Sequence, residues 1–351
     1  MHSISLHGIL ISNFGREAVF LVTLDDIARE LGVSKSTVSK ALNDAKDVSR
    51  RMKQAVLEKA VELGYSRSSR ASEAPRVAVF ITNMDYTQPE DFGYEIVVGF
   101  RQAAEPAGFH VDLIPLDTDL QNQLRYDEYM ILNNYCGSLF LGLSPLDPWL
   151  DQFPSCRTPT VLYDIHISSN PQVTGIGIDN VEGIGLACTY LRSLGHEKIG
   201  YLSGSLMAHV YRQRYDAFVR VMTANGLRAD DSVMGSAYPV SDCLSKHLPR
   251  LLENGCSAII CSHDLLAGNV MNRCQELGLR VPEDISILGF DDLPLCRDTE
   301  PPLTTIRQNR PALGKSAFYA LSGHLKGISL STHLLHAELV CRDSCANAPV
   351  T

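Results

Sequence analysis

The hydrophobic and polar positions of this 351-residue chain follow two different patterns. Between residues 23 and 63, apolar residues recur every three or four positions, which is typical of short amphipathic helices. From residue 76 onward, continuously apolar runs alternate with longer amphipathic stretches. The runs are RVAVFIT, HVDLIPL, GSLFLGL, TPTVLYD, KIGYLSG, SAIICSH and ISILGFD. The change of pattern predicts a small helical unit followed by a larger α/β unit.

The first unit carries clear signals for where its helices begin and end. Thr23 and Asp26 are spaced as a capping box for a first helix, and Gly32 allows the tight turn that ends it. Ser34 and Ser49 are suited to cap a second and a third helix. Two short helices joined by a Gly-Val turn predict a helix-turn-helix.

The second unit has the pattern of parallel sheets covered by helices on both faces. Strands that are apolar throughout and separated by amphipathic helices are typical of such sheets. Because parallel sheets bind ligands at the carboxyl ends of their strands, the polar residues directly after each run are candidates for a binding site. These residues are Asp85, Asp164, His263, Asp264, Asp291 and Asp292.

Charge is distributed unevenly between the two units. The chain has a formal net charge of -9, but residues 21–70 carry ten Lys and Arg against seven Asp and Glu. Residues 71–351 therefore carry a net charge of -12. A basic front and an acidic body indicate that only the N-terminal unit meets a polyanion.

The second predicted helix exposes lysine and serine side chains that could read DNA. The start of this helix enters the major groove in helix-turn-helix proteins, where lysine donates to guanine and serine to several base edges. Short hydrogen-bonding side chains nearby can reach phosphates together with backbone N–H groups. The alternative, from geometry alone, is a small helical bundle with a solvated Ser/Lys face.

The ten cysteines form no CxxC pair, so we expect reduced thiols in a cytoplasmic protein rather than disulfides. Cys341 and Cys345 lie four residues apart in a predicted strand, which would place both on one face. No apolar run approaches the roughly 20 residues that cross a membrane. Residues 1–20 lack the features of a signal peptide, and we expect a disordered extension or an over-extended gene start.

Catalysis and solute transport are the alternatives to a DNA-binding role. The chain contains no P-loop, dinucleotide-binding, nucleophile-elbow or HExxH motif, so we expect neither an enzyme nor a bound cofactor. His333 and His336 lie three apart in a predicted strand and would point to opposite faces, so they cannot bind a metal together. A transport or chemotaxis binding protein is disfavoured by the missing export signal.

The stretch VTLDDIARELGVSKSTVSKALNDAKDVSRRMKQAVLEKAVELGY resembles the DNA-binding headpiece of the lactose/galactose repressor family. Its GVSxSTVSxxLN pattern is highly specific, and the resemblance is nearly continuous over residues 22–65. The resemblance implies that Lys35, Ser36 and Lys40 occupy base-reading positions. It implies phosphate contacts at Thr23, Ser34, Thr37, Ser39, Asn43 and Ser49.

Residues 76–345 resemble the periplasmic-binding-protein-like (type I) effector domain of the same family, through LGHEKIGYLSG, VPEDISILGFDD and PPLTTIRQ. The resemblance implies two doubly wound parallel-sheet subdomains with three crossovers and a ligand in the cleft between them. The implied effector contacts are Phe92, Asp164, Arg214, His263 and Asp291. His263 stands where the family usually has a small amide or hydroxyl, and Ile165 stands where it often has arginine.

These features together predict a sequence-specific transcriptional regulator, and more specifically a repressor. We expect it to bind a pseudo-palindromic operator as a homodimer. A small carbohydrate or related metabolite in the cleft would modulate operator binding. Carboxylates accept hydrogen bonds from pairs of hydroxyls, and the arginine fork donates to two oxygens at once, which suits a sugar. A nucleobase or nucleoside effector, and a solute-binding sensor without a DNA role, remain the alternatives.

The predicted organisation has four parts. In order, these are an extension (1–20), a helix-turn-helix domain (21–65), a hinge or linker (66–75) and a ligand-binding and dimerisation domain (76–351). Within the last part we assign 76–174 and 304–331 to a first subdomain, and 175–303 and 332–345 to a second.

The linker departs from the family pattern. The family's hinge inserts a leucine into the minor groove and kinks the DNA, whereas this chain has Ala74 at that position, followed by Pro75. Arg67 and Arg70 can still reach phosphates or a narrow minor groove. We therefore expect an electrostatic clasp rather than a kinking hinge.

Overall fold

The computed structural model describes residues 22–65 and 74–349 of the chain. Its N-terminal unit consists of α1 (Leu24–Leu31), α2 (Lys35–Leu42) and α3 (Arg50–Leu63). All three helices begin at the predicted caps, because the side chains of Thr23, Ser34 and Ser49 accept hydrogen bonds from N–H groups of the first turn. The capping box is confirmed, because the Asp26 N–H donates to Thr23 Oγ1 at 3.3 Å and the Thr23 N–H donates to Asp26 Oδ2 at 2.9 Å.

The three helices pack through their apolar faces. Ile27, Val38 and Val56, one from each helix, are fully buried in one cluster with the small residue Ala28. Gly32 ends α1 with a φ of 65°, a left-handed conformation that glycine adopts without steric cost. The helix-turn-helix prediction is confirmed, and we call residues 22–65 the headpiece.

Two six-stranded sheets form the body of the molecule. The first contains β1 (Arg76–Ile81), β2 (His110–Pro115), β3 (Tyr135–Leu141), β4 (Thr160–Tyr163), β5 (Val173–Ile178) and β11 (Thr332–Leu335). The second contains β6 (Ile199–Ser203), β7 (Met234–Ser236), β8 (Ala258–Cys261), β9 (Ser286–Asp291), β10 (Thr304–Arg307) and β12 (Glu338–Val340). Their strand orders are β11-β5-β4-β3-β1-β2 and β12-β10-β9-β8-β6-β7. Neighbouring strands are parallel except for the antiparallel pair β10 and β12.

Helices complete the two subdomains. Those of the first are α4 (Phe92–Ala104), α5 (Thr118–Gln123), α6 (Tyr126–Leu132) and α12 (Arg310–Leu325). Those of the second are α7 (Asn180–Ser193), α8 (His209–Ala224), α9 (Val240–Asp242), α10 (Leu248–Glu253) and α11 (Asp264–Glu276). Short 3-10 turns occupy Leu150–Ser155 and Pro294–Arg297, and one π-helical turn occupies Cys243–His247. The predicted combination of a helix-turn-helix unit with two parallel-sheet subdomains is confirmed.

The chain crosses between the subdomains three times, after β5, after β10 and between β11 and β12. The subdomain boundaries differ from the predicted ones at each crossing. Residues 175–178 and 332–335 belong to the first sheet, whereas 304–307 belong to the second. The reason is that the strand on each side of a crossing completes its hydrogen-bonded ladder before the chain leaves the sheet.

All seven apolar runs form strands, but the segment after β12 does not continue as one. Because β12 ends at Val340, the prediction that Cys341 and Cys345 share a strand face is wrong. The Cys345 thiol lies 3.3 Å from the carbonyl oxygen of Ile287 on β9, and Cys341 is exposed. His336 lies just beyond the end of β11, so it does not share a strand with His333, and its Nδ1 lies 2.9 Å from Glu182 Oε1.

Among the helices of the described residues, we find none with the length and apolar character needed to span a membrane.

Candidate ligand cleft and nucleic-acid interface

A buried ion pair lies where the carboxyl ends of the two sheets meet. Arg214 on α8 places Nη1 3.2 Å from Oδ1 of Asp291 at the end of β9, and neither side chain is more than a tenth exposed. The guanidinium also donates to Asn180 Oδ1 at 2.9 Å and to the Ser262 carbonyl oxygen at 2.5 Å. It lies 3.7 Å from the centroid of the Phe290 ring. These partners hold Arg214 in one orientation.

Burial and the neighbouring charges set the titration of this pair. Burial raises the pKa of Asp291, and Arg214 opposes that shift. Burial alone would lower the pKa of Arg214, but Asp291 and Asp164 raise it above its ordinary value. Arg214 is therefore a fixed positive charge in the cleft.

A chain of hydrogen bonds joins Asp291 to the first subdomain. Gln308 donates from Nε2 to Asp291 Oδ1 at 2.7 Å and accepts from the Tyr163 hydroxyl at 3.0 Å. Arg310 donates to the Asp291 carbonyl oxygen at 2.9 Å and forms an ion pair with Glu95 on α4 at 2.8 Å. Because these bonds span the crossing between β10 and α12, a movement of one subdomain against the other must alter them.

Asp164 brings a second carboxyl group to the cleft. It follows β4 with a φ of 57°, and its carbonyl oxygen lies 2.9 Å from Nδ1 of His209 at the start of α8. Burial raises the pKa of Asp164 to about 6, although Arg214 acts in the opposite direction. Gly177 of β5 leaves the necessary space, because a Cβ there would lie 2.6 Å from Asp164 Oδ1.

A cavity of about 460 Å³ adjoins Asp164 between the subdomains. Residues of β5, β11 and α8 line it, together with the start of α7. Its polar lining residues include Asp164, His166, Asn180, Gln213, Asp216 and Arg220. The volume lies within the range of small-molecule pockets, roughly 300–1,000 Å³. Asn180 lines this cavity and accepts a hydrogen bond from Arg214, but Arg214 and Asp291 themselves do not line it. Of the five predicted effector contacts, the cavity includes Asp164.

His263 and Tyr211 form a stacked aromatic pair on the second subdomain. Their rings stack with centroids 5.1 Å apart and planes inclined by 23°. Burial, reinforced by Arg214, lowers the pKa of His263 to about 4, so the imidazole is neutral at physiological pH. His263 Nδ1 lies 3.0 Å from the Ser262 hydroxyl oxygen.

Phe92 begins α4 on the side of the first subdomain. Its ring centroid lies 6.1 Å from that of Tyr163, and the Arg310 guanidinium lies 5.6 Å from the Phe92 centroid. Both neighbours belong to the hydrogen-bonded chain that ends at Asp291. The structure therefore brings the five predicted effector contacts into one region: Phe92, Asp164, Arg214, His263 and Asp291.

Two other acidic candidates at strand ends are taken up by structural contacts. Asp264 is fully buried, and its Oδ1 accepts a hydrogen bond from the Thr305 hydroxyl at 2.6 Å. Asp292 pairs with Arg307 at 2.7 Å and with Arg342 at 2.6 Å. The sequence pattern identified the right edge of the sheets but could not separate these carboxylates from those facing the cleft.

Unusual backbone conformations concentrate at the same edge. Among the described residues other than glycine, Asn83, Asp164, Asp291 and Asp292 have positive φ at the ends of strands. The φ of Asp291 is 118°, a value that side chains with a Cβ rarely adopt. Such conformations persist only where surrounding contacts maintain them, and they are frequent at ligand sites.

The candidate base-reading residues lie on the exposed face of α2. Lys35, Ser36 and Lys40 are all exposed. Lys35 Nζ lies 2.7 Å from an Asp25 carboxylate oxygen, and Lys40 pairs with Asp47. Because exposed ion pairs contribute only about 0–1 kcal/mol, base edges and phosphates can replace these carboxylates at low cost.

Three candidate phosphate contacts are helix caps. Thr23, Ser34 and Ser49 lie at the starts of α1, α2 and α3, beside the N–H groups that make helix N-termini suitable for anions. The Thr37 hydroxyl lies 2.9 Å from that of Ser34. These residues are bonded within the headpiece and keep their exposed edges toward solvent.

The other candidate phosphate contacts lie at the end of α2 and in the linker. Asn43 is the C-cap, and its Nδ2 donates to the Ser39 carbonyl oxygen at 2.8 Å. Arg67 and Arg70 lie outside the described residues.

Several cleft residues were missed by the sequence analysis. These are Tyr163, Asn180, Tyr211, Gln308 and Arg310. Tyr163 directly precedes the candidate Asp164, and Gln308 ends the motif PPLTTIRQ, so adjacency and membership of a motif were the signals available for these two residues. No group of three or more His, Cys, Asp or Glu within the described ranges is arranged to hold a metal ion.

Comparisons with known proteins agree with this architecture. Residues 23–68 match the family of bacterial regulatory proteins named lacI, and residues 188–345 match the periplasmic binding protein-like domain. The chain is 31% identical over 344 residues to the HTH-type transcriptional regulator MalR of Streptomyces coelicolor, covering 93% of this chain and 97% of that protein.

Two solved structures share the fold. The complex of the transcriptional regulator CelR with cellobiose matches with a TM-score of 0.66 and 24% identity, over 92% of this chain and 99% of that one. The lac repressor dimer bound to operator and the anti-inducer ONPF matches with a TM-score of 0.64 and 23% identity, over 93% of this chain and 100% of that one. At these identities the likeness shows the fold alone.

Proposed function

This chain belongs to the lacI family of bacterial regulatory proteins, and we propose that a small carbohydrate or related polar metabolite in its cleft controls its binding to operator DNA. The protein is a DNA-binding transcriptional regulator. The observation that carries the proposal is the buried Arg214–Asp291 ion pair, 3.2 Å long, at the junction of the two subdomains. A ligand that engages this pair would favour one arrangement of the subdomains over the other.

The chemistry around the ion pair suits a polyhydroxylated ligand. The carboxyl group of Asp164 can accept hydrogen bonds from adjacent hydroxyls, and Phe92 offers an aromatic face to the apolar side of a sugar ring. The similarly folded CelR structure contains cellobiose, which supports a sugar as the ligand class.

A nucleobase or nucleoside is the second candidate effector. The observation in its favour is the stacked surface of His263 and Tyr211, with centroids 5.1 Å apart. A neutral imidazole beside a phenol ring can cover a planar base and hydrogen-bond to its edge without burying a further charge.

We infer that the protein acts in the cytoplasm as a homodimeric repressor and does not transform its ligand. Two recognition helices would then enter successive major grooves about 10 bp apart. The similarly folded lac repressor is a dimer on its operator, which supports this arrangement. The proposed base-reading residues are Lys35, Ser36 and Lys40, and the proposed phosphate contacts are Thr23, Ser34, Thr37, Ser39, Asn43, Ser49, Arg67 and Arg70.

The proposal is tested in two steps on the full chain. An operator is first selected by the protein from a pool of random duplexes, and sugars and nucleosides are then screened for an increase in Tm. We expect a ligand that raises Tm also to change the affinity for the selected operator. A chain that enriches no DNA would contradict the regulatory role, and a stabilising ligand without effect on operator binding would contradict control through the cleft.

A further inference from the structure

The headpiece contacts the first subdomain through α3 and α6. Ile131 on α6 is only 7% exposed and belongs to the apolar cluster of the headpiece, with Leu132 packed against the same cluster. Beside them, Gln54 on α3 donates from Nε2 to Glu128 Oε1 at 3.1 Å. Glu128 is itself buried, so this contact combines apolar burial with a satisfied polar group.

Helix α6 is firmly built into the first subdomain. The hydroxyl of Tyr126, at the start of α6, lies 2.7 Å from the hydroxyls of Ser138 on β3 and Thr160 on β4. The Tyr126 ring packs against Trp149 and Phe153 at centroid distances of 5.5 and 5.2 Å. A displacement of the sheet must therefore carry α6, and whatever is docked on α6, with it.

The contact lies at the edge of the sheet away from the ligand cleft. Asn133 follows α6, and its carbonyl oxygen accepts a hydrogen bond from Arg76 at 3.1 Å. Arg76 is the first residue of β1, whereas the cleft residue Asp164 lies beyond the carboxyl end of β4. The docked headpiece is thus held where the chain enters the body.

Docking leaves the recognition face open. The side chains of Lys35 and Lys40 remain 60% and 52% exposed while α3 is in contact with α6. Because the DNA-reading side of α2 is not covered, the contact is compatible with operator binding and does not block it.

We propose that the contact between α3 and α6 positions each headpiece on its own first subdomain, so that subdomain movements reach the DNA through this contact rather than through the linker. The inference rests on the proposed function, since it concerns how cleft and operator communicate. It also accounts for a linker with Ala74 in place of the family's leucine. In a dimer, two docked headpieces have a distance fixed by the arrangement of the two first subdomains.

If the headpieces are held at a fixed distance, operator affinity should depend strongly on the spacing between the two half-sites. Full-length protein is measured by fluorescence anisotropy on the selected operator and on versions with one or two base pairs inserted or removed between the half-sites. We expect the wild-type affinity to fall by roughly tenfold or more, and that of undocked variants by less than roughly threefold, because flexibly linked modules tolerate small changes of span.

Two variants on opposite sides of the contact separate docking from folding. Gln54→Glu places a second carboxylate beside Glu128 on an exposed headpiece position, and Ile131→Asp places a charge within the apolar contact. Leu146→Asp is the matched control, since Leu146 is 86% exposed on the same subdomain. We expect the first two to relax the spacing preference and the control to retain it. Identical spacing profiles for all four proteins would overturn the proposal.

A second readout is independent of DNA. Small-angle X-ray scattering of the full chain should give the wild type and Leu146→Asp the same maximum dimension, and Gln54→Glu and Ile131→Asp a larger one. Equal scattering profiles would refute docking even if the protein binds DNA. Conversely, a wild-type chain that enriches no operator would contradict the proposed function, while the scattering comparison would still decide whether the headpiece is docked.

Discussion

At the scale of single residues, the cleft is organised by one buried guanidinium. Arg214 contacts a carboxylate, an amide oxygen and a carbonyl oxygen, and it lies over an aromatic ring. Burying an ion pair contributes little to stability by itself, but removing one partner leaves an uncompensated charge. The pair is therefore better suited to hold a geometry than to stabilise the fold.

The first prediction separates these two effects. Arg214→Ala should lower the free energy of unfolding by about 3–5 kcal/mol, because Asp291 loses its charge partner in a buried site. Asp291→Asn should also destabilise the fold, because the buried Arg214 loses its carboxylate partner, although the amide oxygen can still accept a hydrogen bond from it. Both variants should lose the effector-induced increase in Tm while retaining operator binding. Urea denaturation and thermal shift measure these quantities.

The exposed neighbour Arg212 provides the control for this experiment. Arg212→Ala removes the same charge from α8 without touching the buried ion pair, and it should keep both stability and effector response. A normal effector response in Arg214→Ala and Asp291→Asn would show that the ligand binds elsewhere.

The carboxyl group of Asp164 gives a second prediction, on pH dependence. Its pKa of about 6 in the folded protein exceeds the ordinary value of 3.8, so the folded state holds this proton more tightly than the unfolded state. The stability contributed by this group is therefore fully present below about pH 4 and is lost as the pH rises to about 6. The loss amounts to at most about 3 kcal/mol.

Urea denaturation between pH 4 and 7 tests this sign. The difference in unfolding free energy between wild type and Asp164→Asn should decrease as the pH rises from 4 to 6 and stay constant above that. Asp85→Asn, which changes an exposed carboxylate, should retain the wild-type pH dependence. A difference that increases with pH would mean that Asp164 is stabilised as the carboxylate.

At the scale of elements, α2 is held ready for DNA by weak contacts. Its N-cap Ser34 and the apolar residue Val38 fix the helix on the headpiece core, whereas Lys35 is held only by an exposed ion pair with Asp25. Exposed pairs of this kind exchange partners readily. The backbone of α2 is thus fixed, whereas its proposed base-contacting side chains can change partners.

The third prediction concerns base preference. Lys35→Ala should reduce affinity for the selected operator by about 1–3 kcal/mol and relax preference at one base position, because a major-groove donor is lost. Lys46→Ala removes an equal charge from an exposed position outside α2 and should weaken binding without changing preference. An unchanged base profile for Lys35→Ala, measured by repeating the operator selection, would rule out its reading role.

At the scale of the whole molecule, charge favours DNA binding by the headpiece, and the connections between the sheets favour ligand-linked movement in the body. The net charge of residues 71–351 is -12, so the body repels DNA while the basic headpiece attracts it. Three crossings join the two sheets. The hydrogen bonds from Asp291 through Gln308 to Tyr163 bridge one of these crossings. Closure around a ligand can therefore change both subdomains together.

Much of this organisation could be predicted because it depends on local pattern. The caps at Thr23, Ser34 and Ser49 and all seven apolar strands occur where the residue types require them. The weak points were the strands next to the crossings, β5, β10 and β11, which the predicted boundaries split or assigned to the wrong subdomain. Their assignment depends on which sheet supplies a hydrogen-bonding partner, and that information is not local.

The sequence by itself determined the helix-turn-helix, the α/β body, the basic headpiece and the sheet edge that carries the candidate ligand site, because periodicity, caps and charge act over a few residues. The division of the body into two subdomains was implied by the resemblance to the repressor family and not by a local pattern. Only the tertiary structure decided which strands belong to which sheet. It also decided which acidic residues face the cleft and which, like Asp264, are bound within the protein. The tertiary structure likewise decided the contact between Gln54 and Glu128, which lie 74 positions apart in the sequence. Such contacts arise from packing between distant segments, and no local pattern encodes them.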